Sequence, residues 1–341
     1  MTFRDSEKER YQTLKSQPQL FSSAAQRDGL YNKKSRFFCL ADECADENLY
    51  EAIREPAIKY FEDRDIRWHD GLNKRRIPSN HLCCSQCCCV NFLYPMTTNP
   101  TLLARVFRQF YPDLKRPLQI HEDKRLPNGT YPYMTFEWIG TKDYLGELFR
   151  KLGVRTRGAN FTSADFAFRF RRKDDKIQLV LGEWKYTEYY NSRDLGAPSR
   201  PKDKKPLARK HNYWPAFRRK NGIFANHGEE LYNDLFFEPF YQLMRLQLLA
   251  QEMELGREMN ADVVSVFHIS PEANREFRER VTSPRLEEMF PNRGVLEIWK
   301  ELVPEDKFMS ISVEELLNTI AKRVRAHERE WADYLNIRYG W

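Results

Sequence analysis

Residues 161–185 read FTSADFAFRFRRKDDKIQLVLGEWK. From Phe161 to Phe170 the pattern alternates, with Ala164, Phe166, Phe168 and Phe170 on one face and Ser163, Asp165, Ala167 and Arg169 on the other. That is the two-residue period of a strand with one buried face. The charged segment Arg171 to Lys176 is turn-like, and from Ile177 the alternation resumes, Ile177, Leu179, Leu181, Glu183 and Lys185 sharing one parity. Two such runs joined by a short polar segment predict a hairpin.

Glu183 and Lys185 decide what the hairpin could do. Residues two apart on a strand point to the same side, with attachment points roughly 7 Å apart, so a carboxylate and an ammonium face one site. Asp165 lies on the face opposite its phenylalanines, and pairing the two strands would bring it beside Glu183. Taken alone, Glu183-Trp184-Lys185 is an ordinary charged pair at a strand edge. Its setting is less ordinary, because three apolar residues of the same parity precede it and the charges arise where a buried strand emerges. Two carboxylates and a lysine suit metal-assisted phosphodiester hydrolysis. Mg²⁺ takes hard oxygen ligands, usually one or two carboxylates plus phosphate and water, and acidifies its bound water. A lysine beside it can orient that water and offset developing charge.

These residues resemble the PD-(D/E)xK, or restriction-endonuclease-like, nuclease superfamily, with Asp165 as its metal-binding aspartate and Glu183 and Lys185 as its E-x-K motif. The wording Thr162-Ser163-Ala164-Asp165, then Leu181-Gly182-Glu183-Trp184-Lys185-Tyr186-Thr187-Glu188, and later Tyr241-Gln242-Leu243-Met244-Arg245, looks like a group of bacterial restriction-type endonucleases, most strongly over residues 131–270. Ala164 stands where the superfamily name has proline, which leaves the aspartate unaffected. The resemblance implies an α/β fold, a central mixed β-sheet flanked by helices, and a Mg²⁺- or Mn²⁺-dependent endonuclease acting on nucleic acid, DNA foremost. Catalysis would fall to Asp165, Glu183, Lys185, Glu147 and Gln242, and the metal to Asp165, Glu183 and Glu147. In this superfamily a carboxylate on the helix before the first strand often completes the site. Glu147 is the candidate, with Glu137 behind it, though a solvated helix carboxylate reads as well. Gln242 would be the polar group on the helix after the E-x-K strand. The alternative is a catalytically silent nucleic-acid-binding module of the same fold.

Outward from the hairpin, residues 1–130 carry apolar residues at helical spacing in Leu49, Ile53, Ile58 and Phe61 and in Leu102, Leu103, Val106, Phe107 and Phe110. They predict a mainly helical N-terminal region packed on a nuclease core at 131–270. A helix is expected through Tyr144, Leu145 and Leu148 to Gly153, another from Phe240 to Leu255 stopping at Gly256, and a buried strand at Val263 to Ile269. Residues 271–341 read as a helical C-terminal region. The segment from Ser192 to Lys220 lacks periodicity and is expected as a mobile loop. Between Arg200 and Lys220, nine cations face Asp203 alone, interrupted by Pro201, Pro206 and Pro215. With aromatic residues interleaved this suits phosphate contact and base stacking. Lys202, Lys204, Lys205, Arg209, Lys210, Trp214, Arg218 and Arg219, with Arg245 from the later helix, are the candidate nucleic-acid contacts, a solvated loop being the plainer alternative.

Composition bounds the rest. The 341 residues are 41% hydrophobic and 14% aromatic, enough for a sizeable core, while a mean hydropathy of −0.74 implies a charged surface. No run approaches the roughly 20 apolar residues of a spanning helix, and Met1 to Arg10 alternate in charge where a signal peptide would be apolar. A cytoplasmic protein without a membrane partner is expected. The net charge of +7 fits a polyanionic partner, and cutting both strands of a duplex would call for two sites, hence a homodimer. Five of the seven cysteines crowd into Cys83, Cys84, Cys87, Cys88 and Cys89. Cys84-x-x-Cys87 has a zinc or iron-sulfur spacing, yet the surrounding small apolar residues favour a helix packed in a core. The chain lacks a glycine-rich phosphate loop, a nucleophile elbow and a zinc-protease motif.

Overall fold

The two alternating runs are strands of one sheet in the computed structural model of the chain, which describes residues 1–148, 155–158, 161–200 and 202–340. A small antiparallel hairpin, β1 (Gly29–Tyr31) and β2 (Lys34–Arg36), stands apart near the N-terminus. The main sheet has six strands: β3 (Leu114–Leu118), β4 (Met134–Trp138), β5 (Ala164–Arg172), β6 (Ile177–Trp184), β7 (Val263–Ser270) and β8 (Phe308–Ser312). Its order is β3-β5-β6-β7-β8, and β4 also pairs with β5. The pairs on the β5 side are antiparallel, whereas β6–β7 and β7–β8 are parallel. Helices fill the connections, as parallel neighbours require. The result is the expected mixed α/β sheet with helices on both faces.

Register follows from side chains. β5 meets β6 with Phe166 opposite Gly182 and Phe168 opposite Val180. The Phe166 ring lies on the glycine so closely that a Cβ there would come within 2.1 Å of it. Only a residue without a side chain fits beneath the ring, and a slip by one residue would carry the whole apolar set to the other face.

Each face of the sheet has its own core. Phe166, Phe168, Phe170, Val180, Trp184, Phe267 and Ile269 pack against the N-terminal helices Phe3–Leu14, Glu51–Asp63, Ser85–Leu93 and Pro100–Phe107 and the C-terminal helices Val313–Arg323 and Arg329–Tyr339. Leu179, Leu181, Val264 and Val266 pack on the other face against helices Lys205–Phe217, Glu229–Asp234, Phe240–Leu255 and Val295–Leu302. The two chain ends meet beneath β6. There the Tyr186 hydroxyl bonds Glu7, Arg10 donates to the Arg338 carbonyl at 2.8 Å, and Tyr186 lies 5.8 Å edge-on from Tyr339.

Three sequence expectations change. Residues Ser192 to Lys220 are not simply a loop, because Lys205–Phe217 is a helix. Pro206 falls in its first turn, where no backbone N–H is needed, and Tyr213, Ala216 and Phe217 form a buried stripe that the cations and prolines mask in the sequence. Pro201 lies outside the described residues. The helix expected from Tyr144 is absent among the described residues, and 141–148 is irregular. There the Asp143 carboxylate accepts the N–H groups of Glu147 and Leu148, at 2.9 and 2.8 Å, in place of helical carbonyls; Gly153 lies outside the described residues. Residues 271–340 are not helical throughout, because β8 (Phe308–Ser312) joins the main sheet there, between the helices Val295–Leu302 and Val313–Arg323. The cysteine-rich segment does form the Ser85–Leu93 helix, with Cys87, Cys88 and Cys89 buried and Phe92 against Trp184 at 5.0 Å.

Candidate active site

Strand register assembles the site. Since Phe166 pairs with Gly182, the neighbouring Asp165 stands level with Glu183. On its other side β5 pairs Ala164 with Trp138 and Phe166 with Phe136, which leaves Glu137 level with Asp165. Three carboxylates therefore stand in a row across β4, β5 and β6. Asp165 Oδ2 accepts the Trp184 N–H at 2.6 Å, tying the aspartate to the strand that carries Glu183.

Lys185 completes the group. Its Nζ lies 2.7 Å from Glu183 Oε1 and donates to Gln242 Oε1 at 2.6 Å. Gln242 in turn donates to the Tyr190 hydroxyl at 2.9 Å. Asp165, Glu183, Lys185 and Gln242 thus form one connected cluster at the start of β5, the end of β6 and the start of the Phe240–Leu255 helix.

The electrostatics are those of a site short of positive charge. Burial pushes the Asp165 carboxyl well above the usual carboxylate range, the Glu183 charge adds to the rise, and Lys185 opposes it. Burial likewise raises Glu137, against the hydrogen bonds it accepts from Gln86 at 2.7 Å and Ser163 at 2.9 Å. Burial alone would discharge Lys185, but Glu183 and its other anionic neighbours hold the ammonium charged. Glu137 also has a φ of 50°, a left-handed conformation rare outside glycine and a known place for functional sites to hold backbone strain.

Glu147 stands elsewhere. Its oxygens accept from Thr162 N and Oγ1, both at 2.7 Å, from the Tyr213 hydroxyl at 2.6 Å, and from Arg245 at 3.4 Å. It joins the loop before β5 to the helices at 205–217 and 240–255, and the carboxylate level with Asp165 is Glu137. Arg245 is bound to this network through Thr162 Oγ1 at 2.9 Å.

The basic candidates divide. Lys202, Lys204, Lys205 and Arg218 are exposed and Arg209 is half-buried. Lys210 donates to Asn233 at 2.6 Å, and Arg219 pairs with Glu252 at 2.8 Å. Trp214 is stacked 9° from coplanar with Phe217 and packed 4.8 Å from Tyr232, with Arg218 over its ring, so its faces are engaged by the protein.

Two groups escaped the sequence reading. Glu238, four residues before Gln242, has its carboxyl raised by burial against the opposing pull of Lys185 and a hydrogen bond with Gln242, and its Oε2 is buried without a partner among the described residues. The only sequence signal was a carboxylate one turn ahead of the candidate position Gln242. His268 stands opposite Glu183 in the β6–β7 register, its ring stacked on Phe277 and its Nδ1 3.0 Å from Ser310 Oγ. Burial holds it neutral. In sequence it was hidden inside the apolar run of β7.

The carboxylates can be tested against a divalent cation. Among the described residues no three His, Cys, Asp or Glu side chains converge as a ready set of ligands. Asp165 and Glu183 could supply two, leaving the rest of the shell to water and phosphate, a common arrangement for Mg²⁺. A raised carboxyl such as that of Asp165, pressed by the neighbouring Glu183 charge, is also what a divalent cation relieves. The residues fit such an ion.

Among the described residues no helix is long and apolar enough to cross a membrane. No curated protein and no solved structure matches the chain. Residues 15–340 match the model of a family described as restriction endonuclease associating with ARP. With nearly the whole chain matched and an E-x-K strand beside an aspartate in a mixed sheet, this protein belongs to that restriction-endonuclease family.

Proposed function

We propose that the protein is a divalent-metal-dependent endonuclease that hydrolyses nucleic-acid phosphodiester bonds, DNA foremost, in the cytoplasm. The observation that carries the reading is the register placing Asp165 level with Glu183, with Lys185 2.7 Å from Glu183. Asp165 and Glu183 would hold Mg²⁺ or Mn²⁺, which when bound supplies charge neutralisation and an acidified water. Lys185 orients the attacking water and faces the charge that builds on the phosphoryl oxygens. Gln242 fixes the lysine, and Tyr190 fixes Gln242. Glu147 holds Arg245 and the loop before β5, a positioning role in place of ligation. The water oxygen bonds to phosphorus as one P–O ester bond breaks, leaving a phosphate on one fragment and a hydroxyl on the other.

Plasmid nicking with Mg²⁺ is the test. Wild type should cut, whereas Asp165→Ala and Lys185→Ala should lose at least about a hundredfold, the scale of one transition-state contact. Equal activity in all three removes the assignment. Salt-dependent DNA retention without nicking under any divalent ion would favour the silent binding module.

A further inference from the structure

One helical turn beyond Gln242, on the same side of the Phe240–Leu255 helix, Arg245 lines a cavity of about 650 Å³ shared with the Lys205–Phe217 helix. Organic ligands occupy pockets of roughly 300–1,000 Å³, so this one is far larger than a bare phosphate fills. Its lining joins two chemistries. Tyr213 and Tyr241 meet edge to face, centroids 6.1 Å apart, with Phe161 also on the wall. Lys204, Lys205 and Arg209 supply positive charge, and none of the three pairs with a carboxylate among the described residues. Glu147 is the one carboxylate among the lining residues described, and it is already engaged by Thr162, Tyr213 and Arg245. That leaves three cations without a carboxylate partner among the described residues, Lys204 and Lys205 exposed and Arg209 donating to the Leu195 carbonyl at 3.1 Å; Arg209 and Arg245 lie 5.6 and 5.2 Å over the Tyr241 ring, so the aromatic wall carries guanidinium planes as well.

We propose that this cavity takes one nucleotide unit, its phosphate on Lys204, Lys205 and Arg209 and its base against Phe161, Tyr213 and Tyr241. Cations at the phosphate with an aromatic wall at the base are how proteins hold unpaired nucleotides without reading sequence. The unit comes from one of two sources, a nucleotide turned out of the substrate strand or a free nucleotide. The first source rests on the nuclease reading, and the second does not.

The test is binding without metal, so that cleavage does not enter. A fluorescein-labelled single-stranded DNA oligomer is titrated against wild type and Lys205→Gln/Arg209→Gln over a range of salt, with dAMP or inorganic phosphate as competitor. The double variant should bind about tenfold more weakly, and its log–log salt dependence should flatten by roughly 0.7 per lost phosphate contact. dAMP should displace the oligomer at concentrations where inorganic phosphate does not. It should also shield Lys204 and Lys205 of the wild type from an amine-acylating reagent, read by mass spectrometry. dAMP protection of the lysines without oligomer binding assigns the free nucleotide, and oligomer binding that dAMP displaces and the variant weakens assigns the strand. Unchanged affinity and salt slope in the variant overturn the proposal, as does equal competition by inorganic phosphate and dAMP. Loss of binding in the variant of a protein that never nicks plasmid would sustain the pocket and remove the nuclease.

Discussion

At the scale of the residue, the most informative group is Asp165. Burial and the Glu183 charge raise its carboxyl well above the usual range, and this has a consequence for stability. A raised carboxyl means that the folded protein keeps a proton the unfolded chain has lost. Stability should therefore fall as pH rises from about 4, where an unfolded aspartate titrates, through the higher pH at which folded Asp165 ionises. Asp165→Asn removes that liability. Without divalent metal its Tm should exceed that of wild type at about pH 8 by a few degrees, roughly 2 °C for each kcal/mol, and the gain should vanish below about pH 4. Melting curves across pH would check this, and a constant gain at every pH would mean that Asp165 stays ionised. Much of this residue's placement was legible, because the alternation alone sets Asp165 beside Glu183 and Lys185. Glu137 was named only as a reserve, since its position depends on which strand lies on the far side of β5. Its pairing, set by Phe136 opposite Phe166 and Trp138 opposite Ala164, is not a local property of the sequence.

Among the elements, the clear periods were readable and the interrupted ones were not. β5, β6, β7 and the Phe240–Leu255 helix emerge from their own patterns. The Lys205–Phe217 helix does not, because its cations sit on the solvent side and its two prolines resemble loop punctuation until one sees them in the first turn and near the end. β3 and β8 are short and owe their existence to partners distant in sequence. The Ser85–Leu93 helix bears on the cysteines. Cys87, Cys88 and Cys89 are buried, and burial pushes each thiol well above its usual range, as expected of cysteines that pack as small hydrophobes. Replacing Cys88 or Cys89 with serine should cost about 1–3 kcal/mol, the price of an unsatisfied buried hydroxyl, and alanine should cost less. Urea unfolding would measure both. Elemental analysis should find the same zinc and iron content in wild type and in the Cys87→Ala/Cys88→Ala/Cys89→Ala variant, and a loss of metal in the variant would show that the helix is a ligand platform.

For the whole molecule, the strands of the candidate site lie in 131–270 but the layer under them does not. Trp184 rests on Phe92, the Tyr186 hydroxyl bonds Glu7, and Arg338 donates to the Asn48 carbonyl at 2.7 Å. A fragment of residues 131–270 should therefore fail to fold alone, showing weak near-ultraviolet dichroism and dye binding; a cooperative thermal transition in that fragment would establish an independent nuclease core. The sequence showed apolar helices at both ends without showing that they share one core beneath β6. That meeting of the chain ends also orders events in time. Tyr339 is made about 150 residues after Lys185, which at about 5–20 residues per second is roughly 8–30 s of synthesis. Until then the layer beneath β6 lacks its C-terminal part, so a chain stalled between Gln242 and Tyr339 carries Asp165, Glu183, Lys185 and Gln242 over an incomplete floor.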